Sequence, residues 1–302
     1  MSTVQTNPKA DLLLEKATNA AAVFSQLTQE HTDRIVRAVY QAGLKNRVRL
    51  AKMAVEETKM GIWQDKVIKN VVASLLVYDD IKDLKTVGVI SDNRETGIME
   101  IAQPLGPILA VIPVTNPTST VLFKILIALK TRNPVIISPH TKAIKCSVET
   151  ARICYEAALK EDAPENCIQW VRDGSESAEE AANHRADSKA MMSHPKLALI
   201  LATGGSGIVK AAYASGTPAY GVGSGNVPVL IDKSAKIPFA VESIFLSKTF
   251  DNGTICASEQ AIVVEKIISK QVIEEIKVQK GYFLSEEAVS YTHLTLPTIY
   301  AV

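Results

Sequence analysis

The sequence predicts an α/β protein built on a parallel, Rossmann-type sheet with helices on both faces, followed by the beginning of a second α/β domain. Three observations predict it. After Pro104, short apolar runs alternate with helical patterns, the order expected of repeated strand–helix units. Runs such as "ILAVIPV" and "PVIIS" are apolar at successive positions, as in strands buried on both faces. The segments "VTNPTS", "SPHTKA", "ATGGSG" and "GVGSGN" follow strand-like runs, where an open parallel sheet gathers its ligands.

From about Ala10 to Leu84 the spacing of apolar residues predicts helices. These are "DLLLEKATNAAAVFSQL", then "DRIVRAVYQAGLKNRVRLAKMAVEETKMG" with Gly61 at its stop, then "DKVIKNVVASLLVYDDI". "TVGVI" and "GIMEIA", joined by the polar "SDNRET", predict a hairpin at about residues 85–103, either a protruding arm or an edge. The alternating series then runs "ILAVIPV", the helix "TVLFKILIALKTR" that is apolar nearly all round, "PVIIS", the helix "AIKCSVETARICYEAALK" and "CIQWV". A polar helix near Ser177 to Met192, "LALILAT", the helix "GIVKAAYAS" and "AYGVGSGNVPVLID" complete it. "DGSESAEEAANHRADSK" is expected to be a solvated loop and helix face. The expected division is a nucleotide-binding domain over residues 1–240, including the helices and the arm, and the start of a second domain over 241–289.

Composition excludes several classes. With 302 residues, 47% apolar, 22% charged and a net charge of +1, the chain lacks the basic excess of a nucleic-acid binder. Its longest apolar run, Pro104 to Thr115, is interrupted and falls short of the roughly 18 residues of a membrane span. The N-terminus has no basic region leading into an apolar block, so a cytoplasmic protein is expected. The cysteines Cys146, Cys154, Cys167 and Cys256 form no CxxC pair and have no histidine at zinc-site spacing, which argues against disulfides and structural metal. Cys146 and Cys154 lie within a helical pattern as packing residues.

The loops leave their own chemistry open. Thr203, Gly204, Gly205, Ser206 and Gly207 stand between a strand and a helix, where backbone N–H groups can meet a phosphate, but the strict GxGxxG spacing is absent and a plain turn fits as well. Two such loops after consecutive strands favour a nucleotide site. Asn116 is placed to donate to an oxyanion, although as the residue before Pro117 it fits a simple turn, the reading favoured by spacing alone. Cys256, in "KTFDNGTICASEQ", is by composition a core thiol more readily than a nucleophile. Its small neighbours Gly253, Thr254, Ala257 and Ser258 leave room for a substrate. None of His31, His140, His184, His194 or His293 is assignable as its base by spacing.

"PVTNPTST", "FKILIALKTRNP", "ISPH", "LATGGSGIVKAAYASG", "GVGSGNVP" and "SKTFDNGTICASEQ", in this order and with "LAKMAVEETKMG" and "DKVIKN", resemble the N-terminal acylating aldehyde dehydrogenase domain of bifunctional aldehyde-alcohol dehydrogenases. The resemblance runs from about Leu13 to Ala288 and implies the aldehyde dehydrogenase fold. It further implies that Cys256 attacks the aldehyde carbonyl, that hydride passes to NAD, and that coenzyme A takes the acyl group from the resulting thioester. Asn116, with a backbone N–H near Cys256, would hold the oxyanion. Val111, Ile112, Pro113, Val114, Thr115 and Asn116, with Gly204, Gly205 and Gly223, would line the NAD site, and Ser138 and His140 would approach its adenosine ribose. Small aldehydes, acetaldehyde foremost, and coenzyme A are the expected partners, with a homo-oligomer built through the hairpin arm.

Hydrolytic aldehyde dehydrogenases carry a water-activating Glu in an "ELGG"-type motif. The matching segment Ala219 to Leu230 has no carboxylate, which favours the thiol acceptor. A hydrolytic NAD(P) enzyme is the alternative within this chemistry. Two departures accompany the resemblance. The chain is several residues longer than the family pattern between Trp170 and His194, and the residues from Ser290, "SYTHLTLPTIYAV", fit nothing in it and are expected to be a frameshift or assembly artefact. The family's catalytic domain is expected to continue well beyond Cys256. A catalytically silent nucleotide-binding or assembly fragment is therefore a further expectation for these 302 residues.

Overall fold

The computed structural model describes residues 7–172 and 184–293. The chain divides into two compact units, Met1–Ser224 with Asp251–Cys256, and Gly225–Phe250 with Ala257–Val302. The division falls at Ser224/Gly225 instead of near residue 240, because the strand "VPVLI" pairs with a strand beyond Cys256.

In the first unit, α1 (Pro8–Phe24) starts where Asn7 accepts the Ala10 N–H at 2.9 Å and Pro8 presets the first turn. Its Ala10, Leu14, Ala17, Ala20 and Phe24 form one buried stripe. The long second helix expected from the pattern is two helices, α2 (Gln29–Lys45) and α3 (Arg47–Thr58). They separate at Asn46, whose side chain turns back to the Ala42 carbonyl at 2.9 Å and competes with the helical ladder. α3 ends in left-handed Lys59, with Gly61 at φ +75 two residues later. α4 (Trp63–Val71) leads through a π-helical turn, Val72–Leu76, into α5 (Val77–Ile81). The expected hairpin forms from β1 (Gly88–Asn93) and β2 (Ile98–Ala102), antiparallel and exposed at every position except half-buried Ala102.

The central sheet has β3 (Ile108–Val111), β4 (Val135–Ser138), β5 (Ile168–Trp170), β6 (Leu199–Thr203) and β7 (Ala219–Val222), all parallel, in the order β5-β4-β3-β6-β7. Alternate residues of β3, β4 and β6 serve opposite cores, which is why those runs are apolar at successive positions, whereas Tyr220 and Val222 of β7 are exposed. Ile108, Ala110, Val135 and Ile137 pack with Ile35, Leu122 and Leu129. Leu109, Val111, Ile136 and Ile200 pack with Leu14, Met191 and Met192. The helix α6 (Pro117–Lys130) is buried on nearly every side. Gly43 of α2 lets it approach so closely that a Cβ there would stand 2.5 Å from a Leu122 methyl. α7 (Ile144–Leu159) follows β4, and its first N–H groups, from Lys145 and Cys146, are taken by both oxygens of Glu57 at 2.9 and 2.7 Å. Of the polar helix expected near Ser177 to Met192, α8 (His184–Met192) is seen; residues 173–183 lie outside the described residues.

The second unit pairs β8 (Val227–Ile231) with β9 (Glu259–Val264) in parallel, joined through α10 (Ile237–Thr249). Ile231, Val241, Ile244, Ile268 and Val272 form its core with α11 (Ser269–Val278). The helix α12 (Glu286–His293) covers the first residues of the expected artefactual tail, and 294–302 lie outside the described residues. Among the described residues no helix is long and apolar enough to cross a membrane.

Candidate active site

The strand order reverses between β3 and β6, and the crevice beyond the carboxyl ends of those strands is where such a sheet binds ligands. The sequence-predicted residues gather there with unequal access. Val111, Ile112 and Pro113 are buried, and Ile112 packs into the core beneath, so these positions offer backbone. Val114, Thr115 and Asn116 are half-buried. Gly204 ends β6, and a Cβ on it would meet an Ile208 methyl at 2.6 Å. Gly205 caps the helix α9 (Ser206–Tyr213) and faces open space. Gly223 after β7 lies beside the Gly204 carbonyl, the Gly204 N–H donates to the Val222 carbonyl at 3.1 Å, and Gly205, Ser206 and Gly207 at the helix start are exposed. An exposed helix start of this kind can receive a phosphate on its backbone N–H groups.

Ser138 ends β4, and His140 follows two residues later. The Ser138 hydroxyl is buried against Ser188 Oγ at 3.2 Å and points into the protein. His140 is half-buried, its Nδ1 accepting the Lys142 N–H at 3.1 Å, and burial together with the Lys142 charge lowers its basicity.

The cysteines separate cleanly. Cys146, Cys154 and Cys167 are fully buried, which raises all of their thiol pKa values, those of Cys154 and Cys167 to about 12. Cys256 alone of the four is exposed.

The segment before Cys256 is held by residues no local pattern announced. Asp251, Asn252 and Gly253 have φ of +50, +54 and +70, three left-handed residues in succession. The Asp251 carboxylate, fully buried, fixes them. It accepts the Ile62 N–H at 2.6 Å, Lys66 Nζ at 2.9 Å, the Thr254 hydroxyl at 2.6 Å, and Lys69 Nζ. Burial opposes its charge, but these donors outweigh burial and hold the carboxyl below its ordinary range. Lys69 moves the other way, because its burial outweighs the attraction of Asp251. Lys69 also donates to Asn116 Oδ1 at 2.6 Å and Thr254 Oγ1 at 3.1 Å, while Lys66 donates to the Thr115 carbonyl at 2.8 Å.

Asn116, at the start of α6, turns Nδ2 to the Thr254 carbonyl at 3.2 Å and to Thr115 Oγ1 at 3.1 Å. The structure therefore brings the amide to the loop two residues ahead of Cys256, with its N–H groups spent within the protein. Behind them Lys124, buried in α6, donates to the Val111 and Leu201 carbonyls at 2.7 Å each and ties β3 to β6 at the reversal point. Burial pulls its pKa down to about 7. Of these lysines Lys124 carries a sequence signal, a charge interrupting an otherwise apolar helix, whereas Lys66 and Lys69, three apart in "DKVIKN", read as a solvated helix face.

The model of the aldehyde dehydrogenase family matches residues 2–280. The chain belongs to the aldehyde dehydrogenase family. Among curated relatives of this aldehyde dehydrogenase chain, aldehyde-alcohol dehydrogenase 2 of Entamoeba histolytica is 49% identical over 87% of the chain and 29% of its own length. The crystal structure of an acetylating aldehyde dehydrogenase from Geobacillus thermoglucosidasius superposes with a TM-score of 0.84 at 48% identity, covering 92% of this chain and 60% of that one. A propionaldehyde dehydrogenase from Rhodopseudomonas palustris, crystallised with bound CoA and an acylated cysteine, superposes with a TM-score of 0.79 at 30% identity over 95% of this chain and 63% of that one. The aldehyde dehydrogenase chain thus spans under a third of the curated relative and about three fifths of the crystallised ones.

Proposed function

We propose that this chain carries the cofactor cradle and the nucleophile of an NAD-dependent, coenzyme-A-acylating aldehyde dehydrogenase for small aldehydes such as acetaldehyde. The observation that carries the reading is Cys256, the exposed thiol, two residues from a loop position bonded by the Asn116 amide. The Cys256 sulfur forms a bond to the carbonyl carbon, the carbonyl electron pair moves to oxygen, and the thiol proton leaves to solvent. Asn116 Nδ2 supplies an N–H to that oxyanion by giving up the Thr254 carbonyl. The glycine turns at Gly204, Gly205 and Gly223, with the backbone of Val111 to Asn116, would hold NAD, and Ser138 and His140 would approach its adenosine ribose. When bound, NAD supplies hydride acceptance, which leaves an acyl thioester on Cys256.

The exit to coenzyme A rests on two supports. Ala219 to Leu230 offers no carboxylate to activate water. A crystallised relative of the same fold holds CoA and an acylated cysteine. The coenzyme A thiolate then attacks the thioester carbon and Cys256 leaves as thiolate, the whole sequence being reversible. Exposed Ile98, Met99 and Ile101 on the hairpin support self-association through the arm. Four free cysteines suit the reducing cytoplasm.

Aldehyde-dependent NADH formation that requires coenzyme A and vanishes in Cys256→Ala is the expected result. Equal rates with and without coenzyme A refute the acylating assignment.

A further inference from the structure

The Asn116 amide has a neighbour that the proposed chemistry leaves unused. Lys69 is nine-tenths buried, and its Nζ stands 2.6 Å from Asn116 Oδ1. An ammonium group only donates, so the oxygen of the amide must face Lys69 and its nitrogen must face the loop that carries Cys256. The orientation of the Asn116 side chain is thereby settled by charge. A cation on the amide oxygen also draws electrons from the nitrogen and strengthens the N–H bonds it donates, an effect that grows in buried surroundings. The same ammonium reaches Asp251 Oδ2 and Thr254 Oγ1, so the donor and the loop it serves hang on one group.

Lys66 has a different share of the load. It bonds the Thr115 carbonyl and Asp251 but is not among the groups bonded to the Asn116 side chain. Both ammonium groups bond the Asp251 carboxylate, and the Asp65 carboxylate takes the Asp251 N–H at 2.7 Å, so the charges of the cluster are matched and Lys69 is the ammonium group placed on the amide oxygen.

We propose that Lys69 is a positioning residue for acyl transfer at Cys256: it orients and polarises the Asn116 amide toward the oxyanion and, with Lys66, clamps the nucleophile loop through Asp251. The inference rests on Cys256 acting as a nucleophile toward carbonyl carbon, as proposed above, but not on NAD or coenzyme A.

Two reagents separate the role from simple support of the loop. With p-nitrophenyl acetate, the Cys256 sulfur bonds to the acyl carbon, an oxyanion forms and collapses, p-nitrophenolate leaves, and the thiol proton goes to solvent. With iodoacetamide the sulfur displaces iodide from a methylene carbon and no oxyanion forms. Rates of both at Cys256 are measured on the 302-residue chain, with Cys256→Ala as the blank. The acylation-to-alkylation ratio is expected to fall on the order of 10-fold in Lys69→Met and Lys69→Gln, less than the ~10²–10³ of losing an oxyanion donor outright. In an Asn116→Ala background Lys69→Gln is expected to change the ratio no further. An unchanged ratio, equal loss in both reactions, or a full effect persisting without Asn116 overturns the proposal. Should Lys69→Met fail to fold, Lys69→Gln alone decides it. Neither reagent involves nicotinamide or coenzyme A, so failure here is distinct from failure of coenzyme-A-dependent NADH formation.

Discussion

Asp251→Asn tests the clamp on the loop that leads to Cys256 directly. The carboxylate is fully buried and accepts from the Ile62 N–H, Lys66, Lys69 and Thr254. The substitution preserves shape and removes the carboxylate that both buried ammonium groups bond, leaving the half-buried Asp65, which takes the Asp251 N–H at 2.7 Å, as the neighbouring negative charge. Breaking a buried pair in this way costs about 3–5 kcal/mol, a large part of the roughly 5–15 kcal/mol that stabilises a whole domain. Trp63 and Trp170 both lie in the first unit, so tryptophan fluorescence in a urea titration reads the unit that contains the cluster. The sign with pH follows from the depressed carboxyl. Its contribution is complete above the unfolded value of about 3.9 and is lost as pH falls through the lower folded value. The gap between wild type and Asp251→Asn is therefore flat between about pH 5 and 7 and closes below about pH 4. A neutral-pH loss under ~1 kcal/mol, or a gap that stays open in acid, refutes the clamp.

Two further outcomes follow from the same region. Gly61→Ala puts a Cβ 2.0 Å from Asp251 Oδ1 at a backbone φ of +75, and is expected to lose more than the ~1–3 kcal/mol of backbone strain alone, read by the same titration. Lys124, with a pKa of about 7 when folded, gives the wild type a stability that rises with pH from there toward its ordinary value. The slope is at most ~1.4 kcal/mol per pH unit, and denaturation at three alkaline pH values should show it flattened in Lys124→Met.

The sheet was legible in the sequence because it obeys local rules. Apolar strands such as "PVIIS" and the helices between them carry their period within a few residues. Asn46 was less so, since a side chain competing for a backbone carbonyl breaks a helix without disturbing the apolar period on either side. The boundary near residue 240 moved to Ser224/Gly225 because β8 finds its partner in β9, on the far side of the loop that leads to Cys256. The site shows the same contrast more sharply. Cys256 and Asn116 were visible as residue types in loops, yet what holds them is Lys66 and Lys69, more than 180 positions from Asp251. Contacts that distant leave no period, and a lysine on a helix face looks solvated until the fold buries it.

The bonding pattern of that cluster ranks two substitutions that look alike on paper. Asp251→Asn takes the bonded carboxylate from both ammonium groups, whereas Lys69→Met leaves Lys66 and Asp251 as a matched pair at 2.9 Å. Burial already holds the Lys69 pKa below its usual value, which means the folded protein bears part of the cost of keeping this second charge. Removing it forfeits the bonds to Asn116 Oδ1 and Thr254 Oγ1 but also relieves that cost. Lys69→Met is therefore expected to destabilise the first unit less than Asp251→Asn while slowing acylation of Cys256. Urea titrations of the two variants side by side decide the ranking. If Lys69→Met is the more damaging, the second ammonium belongs to the structural frame, and its place on the Asn116 oxygen needs an explanation other than the oxyanion.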